Sequence, residues 1–231
     1  MREIALDTQA ATVVAIIEDG RVIARARNDS GRRHAESITP LVRAALENAG
    51  LPPTLANAGI DRVLVGTGPA PFTGLRAGLV SARVLARVAD VPAYGVCSLD
   101  VIARQGLDVL APETRVYAIA DARRRELYWG SYVAAGPDDV TLEGRLEVGA
   151  VSSLLSSMRG APGLVVAGAP IPVHSSSALA RADLGPQVEL DPAVMSRLVA
   201  TRLAHGQGDR LRTYPLYLRR PDIQGQPAAR L

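Results

Sequence analysis

The sequence contains no lysine, so all 26 basic residues are arginine, alongside abundant alanine, glycine, valine and proline. A GC-rich coding bias is the simplest reason, and the arginines alone do not indicate an arginine-specific function. Aromatics are scarce at 3%, and the net charge is only +3. With no dense basic run interleaved with aromatics, the sequence pI of about 9.4 is a weak pointer to nucleic acid. Cys97 is the only cysteine, which excludes an internal disulfide and fits a reducing compartment. No stretch offers the roughly 20 apolar residues of a membrane span. The stretch Met1 to Asp7 lacks the apolar core of a secretory signal. These absences lead to the expectation of a soluble cytoplasmic protein without a membrane partner.

What is present is a globular chain of 231 residues, 48% apolar. That length suits one large domain or two smaller ones, and burial of roughly 70% of the unfolded surface needs no metal or disulfide. Ile4–Leu6, Thr12–Ile17 and Arg21–Arg27 read as a β-meander, with a turn at Glu18-Asp19-Gly20. Ile38, Leu41, Val42, Ala45, Leu46 and Ala49 follow helical spacing and stop at Gly50; Pro40 must lie near the first turn or kink the segment. Val63–Gly66 is a buried-type strand, Leu75–Val88 a helix, and Val91–Val96 another strand. On the second helix Arg76, Arg83 and Arg87 share one stripe and apolar or small residues fill the other directions, so it is covered on more than one side. Ser98–Ala103 begins a helix. Arg115–Asp121 and Glu126–Val133 form a hairpin, and Leu164–Gly168 is a buried strand. Asp191-Pro192 opens a late helix with an N-cap and a proline at its first position. Two strand–Asp–turn–strand units, around Asp7 and around Asp121, suggest an internal duplication. The segment 137–192 carries little pattern.

The most distinctive stretch is Gly66-Thr67-Gly68-Pro69-Ala70-Pro71-Phe72-Thr73-Gly74-Leu75-Arg76, a strand-to-helix loop whose glycines and prolines fix an unusual path. Taken with Ala5-Leu6-Asp7-Thr8, Gly95-Val96-Cys97-Ser98-Leu99-Asp100, Asp121-Ala122-Arg123-Arg124…Glu126-Leu127-Tyr128 and Pro215-Leu216-Tyr217-Leu218-Arg219, it resembles the bacterial TsaB (YeaZ) family. Members of that family partner the tRNA threonylcarbamoyladenosine synthase. The resemblance implies an α/β fold of the actin/Hsp70/hexokinase (ASKHA) type, in two related subdomains each with a mixed sheet and helices. The expected division is 1–110, completed by the helix near 191–206, then 111–220, then a loose tail 221–231.

The resemblance further implies a non-catalytic assembly subunit that pairs with a homologous catalytic subunit, TsaD. TsaD transfers threonylcarbamoyl to the adenosine beside the anticodon of tRNAs reading codons that begin with A. The ATPase TsaE completes the assembly, a homodimer uses much the same surface, and tRNA is reached only through the complex. The expected partner surface consists of Ile38, Leu41 and Val42 on the first helix, with Phe72, Thr73, Arg76, Leu79, Ala82 and Arg83 on the second. No cofactor is expected on the chain by itself; ATP or ADP at the joint interface is what the resemblance allows.

The residues bearing on chemistry are few. Active relatives hold a metal through two histidines on the first helix; here His34-Ala35-Glu36-Ser37 offers one, with Glu36 poorly spaced to share an ion, and no metal site is expected. His34 then reads as a solvated residue near a helix start. Asp7 and Thr8 sit where this fold's first phosphate-binding hairpin would lie, but Gln9 and Ala10 replace its glycine, leaving at most a vestigial phosphate loop. Ala70 and Pro71 replace the more usual Gly-Ser of the family loop, and Ala70 would be uncomfortable at positive φ. Cys97 lacks a nearby base and reads as a core thiol. Two alternatives stay open: an autonomous nucleotide-dependent kinase-like enzyme or metallopeptidase of the same superfamily, and direct tRNA binding through the arginines.

Overall fold

The computed structural model describes residues 1–30 and 33–219; the tail expected over 221–231 lies outside them. Strand β1 (Arg2–Asp7) is central to the first sheet, and five of its six residues are buried. It pairs antiparallel with β2 (Thr12–Glu18), which pairs antiparallel with β3 (Arg21–Asn28). The β2–β3 turn has Asp19 at φ 49° and Gly20 at φ 77°, the left-handed pair that matches the strand twist of a two-residue hairpin. Helix α1 (His34–Asn48) then leads to β4 (Arg62–Gly66), α2 (Phe72–Ala89), β5 (Ala93–Val96) and α3 (Ser98–Leu107). Strands β4 and β5 add parallel to β1, giving the order β3-β2-β1-β4-β5.

The same plan repeats. Strands β6 (Val116–Asp121), β7 (Glu126–Ala135) and β8 (Asp139–Ala150) form a meander, followed by α4 (Val151–Gly160), β9 (Leu164–Ala167), α5 (Val173–Leu179), β10 (Leu184–Gln187) and α6 (Pro192–Ala204). The second sheet runs β10-β9-β6-β7-β8, the first sheet's order with each strand replaced by its counterpart. The duplication suggested around Asp7 and Asp121 thus extends to every element.

Apolar faces sort these elements into layers. Helices α1 and α2 cover the outer face of the first sheet through Ile38, Val42, Leu75 and Leu79. Helices α4 and α5 cover the outer face of the second through Leu154, Met158 and Leu179. Between the sheets lie α3 and α6, in one cluster with Ala5, Leu64, Ala118, Tyr132 and Val166. The closing helices are exchanged: α3 packs on β6 and β7, and α6 on β1 and β2. Fully buried Arg202 on α6 reaches Asp139 (2.7 Å) on β8 and Asp100 (2.8 Å) on α3.

Two expectations are corrected. Helix α1 starts four residues before Ile38, so Pro40 lies in its second turn, inside the helix. Segment 137–192, read as carrying little pattern apart from the strand at Leu164–Gly168, holds β8, α4, α5 and β10 besides that strand, β9.

Candidate functional site

The β1–β2 hairpin, the loop before α2 and the start of α3 meet at Asp7. Its carboxylate accepts from the Gln9 backbone N–H (2.7 Å) and the Ser98 hydroxyl (2.7 Å). Burial pushes the Asp7 carboxyl up to about 6, against the pull of the Gln9 and Ser98 hydrogen bonds. Gly66 is required here, because a Cβ on it would run into that carboxylate. Thr8 donates to the Gly74 carbonyl (3.0 Å), and a Cβ on Gly78 would stand 2.6 Å from the Thr8 hydroxyl. Both side chains of the expected phosphate loop therefore point into packing with the strand-to-helix loop, and both are at most 3% exposed.

His34 is not solvated. It is 8% exposed, its Nδ1 lies 2.8 Å from the Thr12 hydroxyl, and its ring packs on Gly74. The glycines after β4 thus serve close packing of α2 on the first hairpin and α1. Gly68 takes the left-handed conformation at φ 87°; Ala70 does not, and is buried. Pro71 occupies the N-cap position of α2 and makes no side-chain cap hydrogen bond. Cys97 is held as a thiol, because burial and then the Asp100 charge push it well above its usual value.

Of the side chains expected at a partner surface, Ile38, Val42, Leu79 and Ala82 are at most 7% exposed and face the chain's own first sheet. Leu41 is half-buried against the same cluster. Thr73, Arg76 and Arg83 are exposed, and Phe72 is half-buried. The outer face of α2 carries instead Val80, Val84 and Val88, each more than half exposed at 58, 55 and 54%. Their four-residue spacing makes one apolar ridge beside the arginine stripe.

The segment after α6 straps this helix down. The Arg76 Nε donates to the Tyr217 hydroxyl (2.8 Å), and its guanidinium lies over the Phe72 ring, 3.7 Å from the centroid. Phe72 and Tyr217 stack at 4.9 Å. The Arg83 Nε donates to the Thr213 hydroxyl (3.1 Å), and the Leu216 N–H donates to the Thr67 carbonyl (3.0 Å). Sequence reasoning found Pro215–Arg219 as a motif but assigned it no role, because an irregular strap has no period to read.

Between the two halves a cleft of about 610 Å³ is lined by the β1–β2 turn (Gln9, Ala10, Ala11), the β6–β7 turn (Asp121, Arg123) and Pro170-Ile171. Asp121 is occupied by the Arg123 backbone N–H (2.9 Å). Among the described residues no cluster of three or more His, Cys, Asp or Glu side chains is placed to hold a metal ion.

A family model described as TsaD, tRNA N6-adenosine threonylcarbamoyltransferase, matches residues 27–167. The chain is 39% identical to the uncharacterized protein Rv3421c of Mycobacterium tuberculosis, over 96% of this chain and 93% of that one. It is also 39% identical to the tRNA threonylcarbamoyladenosine biosynthesis protein TsaB of Escherichia coli, over 57% of this chain and 55% of that protein. The solved structure of YeaZ from Pseudomonas aeruginosa superposes with a TM-score of 0.70 at 25% identity, covering 94% of this chain and 99% of that one. The chain belongs to the TsaB/YeaZ family. The two mixed sheets with their exchanged closing helices are the actin/Hsp70/hexokinase-like architecture, here in its TsaB/YeaZ form. Within that form, the family loop packs α2 against the first hairpin and leaves the valine ridge facing outward.

Proposed function

We propose that the chain is a non-catalytic partner subunit in the biosynthesis of threonylcarbamoyladenosine in tRNA. It pairs with a catalytic TsaD homologue through the outer face of α2. The observation that carries this reading is the ridge of Val80, Val84 and Val88. Covering three half-exposed valines contributes about 1 kcal/mol each, and the neighbouring Arg76 and Arg83 supply a polar rim. The likeness to proteins named TsaB supports the process. The internal hydrogen bonding of Asp7, Thr8 and His34 supports a subunit that positions rather than reacts.

In this reading TsaE completes the assembly in the cytoplasm. ATP or ADP sits at the joint interface, the modified tRNAs read codons beginning with A, and a second copy covers the same ridge when the catalytic partner is absent.

Val84→Glu combined with Val80→Glu is the direct test. The variant is expected to fold, to stop co-eluting with the cognate TsaD homologue, and to abolish tRNA modification in a mixture with that homologue and TsaE. Unchanged co-elution overturns the assigned face. Micromolar binding of ATP or zinc to the isolated chain by calorimetry overturns the non-catalytic reading.

A further inference from the structure

Helix α2 carries three arginines, Arg76, Arg83 and Arg87, and no carboxylate. The strap holds two of them. Arg76 lies over Phe72 and donates to Tyr217, and Arg83 donates to Thr213. Arg87 is exposed and makes no hydrogen bond or ion pair with any described residue. Asp90, the carboxylate that follows the helix, takes the left-handed conformation at φ 55° and does not pair with it. Arg87 follows Val84 by three residues and Val80 by seven, so it projects within about 20° of Val80. The unpaired cation therefore stands within the apolar ridge rather than at its edge. In the last turn of α2 it also suits the helix dipole, a role that acts on folding and not on association.

The three valines by themselves accept either a second copy of this chain or a different protein. Charge separates the two. A symmetric contact offers the same patch from both copies, so ridge on ridge sets three arginines against three with no carboxylate on either helix. Salt screens that repulsion, and such a dimer tightens as salt rises. The adjoining α1 exposes Glu36, Thr39, Pro40, Arg43 and Glu47, but no large apolar side chain. A second copy that brought its α1 carboxylates to Arg87 would leave the valines against a polar face. A partner with an apolar centre and a carboxylate beside it satisfies both features of α2 at once.

We propose that Arg87 is the charge-selecting contact of the α2 face. It takes a carboxylate from an acidic-rimmed face of the catalytic homologue, and it opposes a second copy of this chain. The identity of the acidic partner rests on the pairing proposed above; the charge selection rests on α2 itself. A second copy is then a weaker substitute on the same ridge.

The test titrates the full chain with the cognate TsaD homologue by calorimetry and follows self-association by sedimentation, from about 0.05 M to about 0.5 M salt. The complex is expected to weaken as salt rises, while self-association stays absent or grows. Arg87→Gln is expected to weaken the complex about fivefold at low salt and to flatten its salt dependence. Arg87→Lys is expected to keep most of both, because it keeps the charge. Arg87→Glu is expected to weaken the complex further while strengthening self-association, since it sets a carboxylate against the other copy's arginines. A complex that depends on Val80 and Val84 but ignores both salt and Arg87→Gln overturns the charge selection and leaves the pairing standing. A complex tightened by salt overturns it too, as does self-association that is tightest at low salt. Arg87→Glu weakening both associations, or Arg87→Gln melting lower with both associations intact, also overturns it and makes the arginine structural. Absence of any complex between the wild-type chain and the homologue overturns the pairing and the charge selection together.

Discussion

At Asp7 burial and hydrogen bonding oppose each other, and burial prevails. Its folded-state value of about 6 lies above the ordinary 3.8. The native chain therefore keeps a proton that the unfolded chain releases, and its contribution to stability is present below about pH 4 and lost as the pH rises toward 6. Each pKa unit is worth about 1.4 kcal/mol, so ionised Asp7 disfavours the fold by about 3 kcal/mol at pH 7. Asp7→Asn keeps an acceptor for Gln9 and a partner for Ser98. We expect the urea stability of wild type, relative to this variant, to decline between pH 4 and 6.5 and level off above. Parallel curves for the two proteins would remove the argument. Gly78 offers a second test at this scale. Alanine gains about 1 kcal/mol of helix propensity, but its methyl meets Thr8 at 2.6 Å. A net loss of about 1–3 kcal/mol is expected, partly restored when Thr8→Ala is added, as read by thermal melting.

Helix α2 separates what its sequence discloses from what it withholds. Apolar periodicity places a helix near Leu75–Val88, within a few residues of the observed Phe72–Ala89. It does not say which arc meets the chain's own sheet, since Leu79 and Ala82 are no more apolar than Val80 and Val84. The first pair is buried and the second more than half exposed, by a tertiary choice made by Gly74 and Gly78 against His34 and Thr8. Accordingly, Leu79→Ala is expected to cost about 2–4 kcal/mol of folding stability. Val84→Ala should stay within about 0.5 kcal/mol while weakening the complex with the TsaD homologue. Denaturant melts and co-elution measured side by side distinguish the two positions. Strand β8, in the segment read as carrying little pattern, does hold a period of two that was passed over: Val140, Leu142, Leu146 and Val148 alternate with Thr141, Glu143, Arg145 and Glu147. The C-terminal strap was not legible, because its contacts with Phe72, Arg76 and Arg83 link positions more than 100 residues apart.

On the scale of the whole molecule, two copies of one plan are joined through buried polar groups on α6. Ser196 donates to Glu3, which also pairs with Arg62 in the first sheet. Six residues on, Arg202 meets Asp139 and Asp100 beneath the second sheet. Arg202→Ala leaves Asp100 without its cation and Asp139 with only the more distant Arg210 at 3.6 Å, and a loss of about 3–5 kcal/mol is expected. In equilibrium unfolding, the double variant with Asp139→Ala should lose less than the sum of the two single variants.

The exchange of closing helices also bears on how the chain is made. Synthesis delivers β1 to β5 early, but the helix that covers their inner face is the last regular helix of the described chain. Until the ribosome has released Ala204, Ala5, Ile17 and Leu64 have no α6 to rest on. The nascent first half therefore carries an open apolar surface through the synthesis of the entire second half, and is a natural client for chaperones during that interval.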